Sequence, residues 1–474
     1  MHSKRFVTAV RRIAAAILIA GFSCSSAVAA LLNYSATLSG ANESPPNVSP
    51  AIGNVLVTVD TVALTMRIRT NFSGLTGTTT ASHIHCCTVV AGTGNAGVAT
   101  TTPSFVGFPL GVTTGSMDQT YDMNLAGSYN PAFVTAQGGT VAGARTALFN
   151  GLAAGMAYFN IHSSTFGGGE IRGFPVAAAA GPQRTFVSTG GSDANNCALL
   201  TPCRGFGAAV AAVAAGGEVI ALDSGGYGPV TITKSVTITS PSGVYAGISV
   251  LPGQDGVVVN GPFAFVTLKG LTINGQGGNA GIDFVQGAEL NVESCEIANV
   301  GGGQTAGIVA RAQGGRVVVR DTTIRDTQYV GIWVKQLATG QTTTLVADNV
   351  AVHNSASFGV FVGGITHLGT AEAYLSHVTI TGSTQTGVMA ESDFGGVTLA
   401  SLTNSTISAN LFGVSSQGAG AKLVVATSTI ARNKFVGLEQ GSSGVLLSRG
   451  DNTVHDNNGG GAQTTGTIGP SPPL

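Results

Sequence analysis

Gly307-Ile-Val-Ala-Arg-Ala-Gln-Gly-Gly-Arg-Val-Val-Val-Arg-Asp-Thr-Thr-Ile-Arg-Asp-Thr-Gln-Tyr-Val-Gly331 is one period of a repeat. A Gly followed by Ile, Val or Leu returns at Gly281, Gly307, Gly331, Gly359, Gly387, Gly413 and Gly437, at spacings of 26, 24, 28, 28, 26 and 24 residues. Between these marks sits a second apolar stretch of constant look: Leu290-Asn-Val-Glu-Ser-Cys-Glu-Ile297, Val317-Val-Val-Arg-Asp-Thr-Thr-Ile324, Ser401-Leu-Thr-Asn-Ser-Thr-Ile407 and Leu423-Val-Val-Ala-Thr-Ser-Thr-Ile430. Asn299, Asp326, Asn354, Gly382, Asn410 and Asn433 follow, residue types that tolerate left-handed backbone or cap a turn with a side-chain hydrogen bond. The period is too short for a propeller blade of about 40 residues, and it lacks the leucine/asparagine frame of leucine-rich repeats. Short strands stacked coil upon coil predict a parallel β-helix with aliphatic ladders inside. The preference of parallel crossovers makes it right-handed.

The repeat region runs from residue 184 to residue 461. A solenoid needs a cap on its open end, and residues 205–215, Gly-Phe-Gly-Ala-Ala-Val-Ala-Ala-Val-Ala-Ala, predict a short capping helix. Glu218-Val-Ile-Ala-Leu-Asp-Ser-Gly-Gly-Tyr227 then reads as the first coil. Together these features resemble pectin-lyase-like β-helix proteins. Residues 462–474, rich in Thr, Gly and Pro, read as a disordered tail, and residues 177–183 as a linker.

Residues 31–176 have a different grammar. Val55-Leu-Val-Thr-Val59 and Leu64-Thr-Met-Arg-Ile-Arg69 alternate apolar and polar positions without an internal repeat, which predicts antiparallel strands in a sandwich or barrel. Four motifs occur in order: Tyr34-Ser-Ala-Thr-Leu-Ser-Gly-Ala-Asn-Glu-Ser-Pro-Pro46, His83-Ile-His85, Tyr158-Phe-Asn-Ile-His162 and Gly169-Glu-Ile-Arg-Gly173. This set resembles the CHRD domain, the module named after chordin and also found in bacterial exported proteins. The resemblance implies a β-sandwich or barrel and assigns no activity. Cys86-Cys87 departs from the glycine-rich continuation common in that family.

The first 29 residues read as a signal peptide. Lys4, Arg5, Arg11 and Arg12 precede an apolar run at residues 13–22, and Ala27-Val-Ala29 offers a cleavage site. An exported protein, secreted, periplasmic or at the cell surface, is the expectation, with no transmembrane segment after signal removal. Export makes a Cys197–Cys203 disulfide the expected state of that loop. For the adjacent Cys86 and Cys87 a vicinal disulfide, free thiols and long-range pairing all stay open. Cys295 reads as a buried small hydrophobe. Charged residues are 9% of the chain and the formal net charge is −1, which gives no electrostatic footprint for nucleic acid. The expected partner is a polysaccharide or a cell-surface protein.

Three site readings follow from the side chains. On a strand, His83 and His85 share a face, and His162 supplies a third imidazole, a donor set for zinc or copper. The set is similar to part of the copper site of copper/zinc superoxide dismutases, although residues 31–176 hold no fourth ligating His. Glu170 and Arg172 are expected to pair. On the β-helix, Arg325, Tyr329, Trp333 and Lys335 form the best candidate binding patch. Catalytic residues are expected to be none, because no carboxylate pair of the kind glycosidases use stands out. The polygalacturonase patterns Asn-Thr-Asp and Gly-His-Gly are also missing. The leading function is therefore an exported, non-catalytic protein whose β-helix binds glycans or other proteins. The alternatives are a polysaccharide lyase or glycoside hydrolase, and a metal-binding function in the N-terminal domain.

Overall fold

The computed structural model describes residues 31–177, 181–262, 264–303, 305–364, 368–392 and 395–471. The signal-peptide reading and part of the linker lie outside the described residues. The N-terminal unit is one antiparallel sheet made of β1 (Leu31–Ser39), β2 (Ile52–Asp60), β3 (Thr65–Ser73), β4 (Thr79–His85), β5 (Gly115–Asp122), β6 (Tyr158–Ser163), β7 (Ile171–Gly173) and β8 (Val176–Ala177). Its order is β4-β6-β7-β1-β2-β3-β5, with β8 paired to β1. The predicted alternation sets the register: Val55, Val57 and Val59 of β2 lie opposite Thr70, Ile68 and Met66 of β3. Their apolar side chains join one buried core with Phe72, Phe159 and Ile161.

Two helices lie across this core where the strand grammar gave no hint of them. α1 (Pro131–Ala136) starts at Asn130, whose side chain accepts from the Ala132 N–H, with Pro131 at the first helical position. α2 (Val141–Ala153) starts at Thr140, whose side chain accepts from the Gly143 N–H, and it buries Ala144, Leu148 and Leu152.

From Arg184 onward the chain winds into a parallel β-helix. The capping helix α3 (Phe206–Ala212) buries Phe206, Ala209 and Val210 over its open end. Beside it Cys197 and Cys203 form the expected disulfide. Ten strands from Val230–Ile232 to Thr464–Thr465 stack into one face. Its inward ladder, Val257, Ile282, Ile308, Ile332, Val360, Val388, Val414 and Leu438, is in register throughout. A second ladder runs Ile273, Ile297, Ile324, Val352, Ile380, Ile407, Ile430 and Val454.

The recurring glycines have a steric cause. A Cβ on Gly331 would lie 2.5 Å from the Gly359 carbonyl oxygen, and one on Gly359 would lie 2.6 Å from that of Gly387. Only glycine lets successive coils approach so closely at this row. The turn residues divide into two kinds. Asn299, Asp326 and Asn354 have positive φ, as does Gly382. In later coils the left-handed position belongs to Ala409 and Arg432. Asn410 and Asn433 are buried instead, and the amide of Asn410 donates to Asn433 at 3.1 Å and that of Asn433 to Asn457 at 2.9 Å.

Two boundary expectations change. The tail is ordered at least as far as Pro470: Thr464–Thr465 and Ile468–Pro470 pair with Leu438–Gly441 and Val445–Ser448. The physical reason is that the last full coil leaves its strand edges open, and these residues continue both ladders. Ala177, assigned to the linker, belongs to β8 and sits opposite Tyr34.

The two units touch directly. Leu56, on the outer face of β2, packs against Phe265 and Ala288 of the β-helix. The Arg69 guanidinium lies 5.1 Å above the Phe265 ring.

Candidate metal centre

β4 and β6 pair so that His83 faces Asn160, His85 faces Tyr158 and Ala81 faces His162. Opposed residues of an antiparallel pair project to one side. The three histidines, Asn160 and Tyr158 therefore share one face, and Ile84, Phe159 and Ile161 take the other, which is the apolar core. β7 extends the polar row, because Asn160 is opposite Arg172. One ring nitrogen from each histidine lies within 4.8 Å of the others'.

Each imidazole is fixed by a backbone carbonyl. His83 Nε2 is 2.7 Å from the Pro103 oxygen, His85 Nδ1 is 2.9 Å from that of Ala96, and His162 Nδ1 is 3.0 Å from that of Gly167. The second nitrogens, His83 Nδ1, His85 Nε2 and His162 Nε2, are buried and have no hydrogen-bond partner. Asn160 Oδ1 and Glu43 Oε1 are further buried oxygens without a partner, and both lie beside Gly169. Orphaned buried polar atoms are costly, and few occur in a native fold. Here five of them gather on one polar face.

The electrostatics keep the rings neutral. Burial lowers the pKa of His83, with the neighbouring His162 adding to the effect. Burial pushes His85 down to about 4 and also lowers His162. His85 stacks on Tyr158 at 4.7 Å, and Arg172 covers the same Tyr158 ring at 4.6 Å. Neutral imidazole, held by a carbonyl on one nitrogen and open on the other, is the form that binds a metal ion.

The expected Glu170–Arg172 pair is absent. Gly169, at φ +131°, breaks the chain ahead of β7, so Glu170 lies outside the strand and does not share the Arg172 face. Glu170 accepts from the Ser49 and Thr76 hydroxyls at 2.6 and 2.9 Å. Burial pushes its carboxyl up, and hydrogen bonds from Ser163, Ser49 and Thr76 outweigh that effect and hold it below the ordinary value. Arg172 instead lies 3.8 Å from Glu43 and donates to the Asn42 carbonyl and the Asn95 side chain. Glu43 is 8% exposed, and burial pushes its pKa up to about 7 against the pull of Arg172. The sequence contains Glu43 and Asn160 inside recognisable motifs, but nothing in their spacing tied them to the histidines. Cys86 and Cys87, next to His85, form a vicinal disulfide.

On the β-helix three of the four predicted patch residues, Tyr329, Trp333 and Lys335, come together, and Arg325 has other partners. Arg325 is committed to Glu296 and Asp326, at 2.7 and 2.8 Å. Tyr329 meets Trp333 edge-on, the Lys335 ammonium lies 4.0 Å from the Trp333 ring centroid, and Phe361 stacks on the same ring at 5.5 Å. The Trp333 indole N–H donates to the Gly363 carbonyl at 3.0 Å. With a cation and a ring packed against it, Trp333 is part of an outer ladder rather than an open platform. Lys335 and Trp333 both line a hollow of about 220 Å³ with Asp283, Arg311 and Asp255.

Comparisons with known proteins agree with this division. Residues 34–174 match the model of the CHRD domain, and residues 214–399 match that of the right-handed beta helix region. The comparison with curated proteins finds no match. Among solved structures the chain is similar to pectate lyase Pel9A, at 13% identity and a TM-score of 0.34, over 59% of this chain and 80% of that one. It is also similar to a rhamnogalacturonan lyase, at 12% identity and a TM-score of 0.37, over 58% of this chain and 74% of that one. No helix among the described residues is long and apolar enough to cross a membrane. The chain thus joins a CHRD domain to a right-handed β-helix.

Proposed function

We propose that this is an exported metal-binding protein whose CHRD domain holds one divalent ion on His83, His85 and His162. The observation that carries the reading is the convergence of three neutral imidazoles within 4.8 Å, each with one nitrogen tied to a carbonyl. An all-nitrogen donor set without thiolate suits zinc or copper. Ligand nitrogens about 2.0–2.1 Å from a common zinc ion stand closer together than these do, so small rotations of the rings complete the site. Three protein ligands leave a fourth position for water or a small ligand. The signal-like first 29 residues and the two disulfides support export. Metal analysis of the purified protein beside a His83→Ala, His85→Ala variant tests the reading. About one equivalent in the wild type and none in the variant is expected, and an apo wild type that takes up neither ion on titration overturns it.

The β-helix supports a second reading, as a face that binds glycans or other proteins through an anionic group. Lys335 has no hydrogen-bond acceptor among the described residues and faces the hollow beside the Arg311–Asp283 pair. A Lys335→Glu variant should lose binding to an acidic oligosaccharide or acidic protein surface that the wild type retains. Equal binding by both proteins removes this reading.

A further inference from the structure

A cleft of about 890 Å³ separates the CHRD sheet from the first coils of the β-helix. Its size is within the roughly 300–1,000 Å³ of ligand sites, which favour domain interfaces. The CHRD wall supplies Ser35 and Thr37 from β1 and Asn54 from β2, and the β-helix wall supplies Thr233 and Ser235. Phe174, half-buried, gives the cleft an aromatic wall and is held in place by Tyr158 at 5.2 Å and the Arg172 guanidinium at 5.6 Å.

The charged groups in the cleft decide the ligand class. Arg172 is committed to Glu43, Asn42 and Asn95. Lys234 donates to the Ala211 and Val213 carbonyls, at 3.1 and 2.5 Å. Neither cation is left over for an anionic ligand. Asn54 Oδ1 is an oxygen of the cleft lining without a partner, on a residue at least nine-tenths buried, whereas Glu43 Oε1 turns toward Asn160 and Gly169 on the histidine side. A wall of hydroxyls and amides, an aromatic ring, one spare amide acceptor and no spare cation fit a donor-rich, uncharged ligand.

We infer that the cleft between the two domains binds a short stretch of neutral oligosaccharide, its hydroxyl groups donating to the cleft's acceptors and one sugar face set against Phe174. None of the three histidines lines the cleft, so protein stripped of metal by a chelator serves in the test, and failure of one reading leaves the other standing.

The experiment is calorimetric titration of the full chain with a panel of neutral hexasaccharides and one of galacturonate hexasaccharides. Thr233→Trp fills the cleft from its exposed β-helix wall, and Thr453→Trp, at an exposed site at the other end of the helix, is the control. The expected result is saturable binding of at least one neutral hexasaccharide, weakened about tenfold or more by Thr233→Trp and unchanged by Thr453→Trp or the chelator. Absence of binding by the neutral panel overturns the inference. So does neutral binding that Thr233→Trp leaves intact, and so does binding confined to the galacturonate panel.

Discussion

His83, His85 and His162 have pKa values below the ordinary imidazole value of about 6.5 because burial disfavours their charged forms. A proton competes with a metal ion for the same lone pair. The affinity should therefore hold steady as pH falls through the ordinary histidine range and decline only below it, with His85 the last to protonate, at about 4. Competition titrations at pH 8, 6.5 and 5 check this; a steep loss beginning at pH 6.5 would show rings that titrate like exposed ones. The histidines were legible in the sequence because the two-residue period of a strand places His83 and His85 on one side. The carbonyls that orient them were not, since Ala96, Pro103 and Gly167 belong to loops whose paths no periodicity records. The Glu170–Arg172 expectation failed for a related reason: the period of two holds only inside a strand, and the strand begins at Ile171.

At the scale of single elements the glycine row is the strictest constraint. Gly359→Ala would place a methyl 2.6 Å from the Gly387 carbonyl oxygen and against the Ile380 side chain, with a backbone neighbour that cannot rotate away. A cost of about 3 kcal/mol is expected, whereas Gly450→Ala, which meets nothing within 4 Å, should stay within about 0.5 kcal/mol. Urea unfolding of the two variants makes the comparison, and equal midpoints would refute the steric account. The buried amides give a second prediction. Asn433→Ala leaves Asn410 and Asn457 each short of a partner and should lower stability by about 2–3 kcal/mol in the same assay; a loss under about 0.5 kcal/mol would mean the amide ladder contributes nothing. The β-helix was readable because its period repeats the same steric demand in every coil. α1 and α2 were not, because Ala- and Gly-rich segments carry little pattern and their start signals, Asn130 and Thr140, resemble ordinary turn residues.

At the scale of the whole molecule, the seam between the two units depends on a few side chains. Phe265 points out of the β-helix onto Leu56, under the Arg69 guanidinium. Phe265→Ala should cost about 3 kcal/mol of this contact, leaving both cores intact. Calorimetry should then resolve the two units into transitions further apart than in the wild type. An unchanged thermogram would mean that the seam does not couple them. Leu56 also lines the interdomain cleft, together with Thr37 and Thr233. None of it was visible in the sequence, because Leu56 and Phe265 look like any apolar residue of a strand.

The most direct test of the metal centre is the X-ray absorption spectrum of the intact chain loaded with one equivalent of zinc. Three imidazole nitrogens at about 2.0–2.1 Å with one oxygen completing the shell is the predicted result, reduced by one imidazole in His162→Ala. A shell with no imidazole scattering, or one that His162→Ala leaves unchanged, would contradict a centre built on His83, His85 and His162.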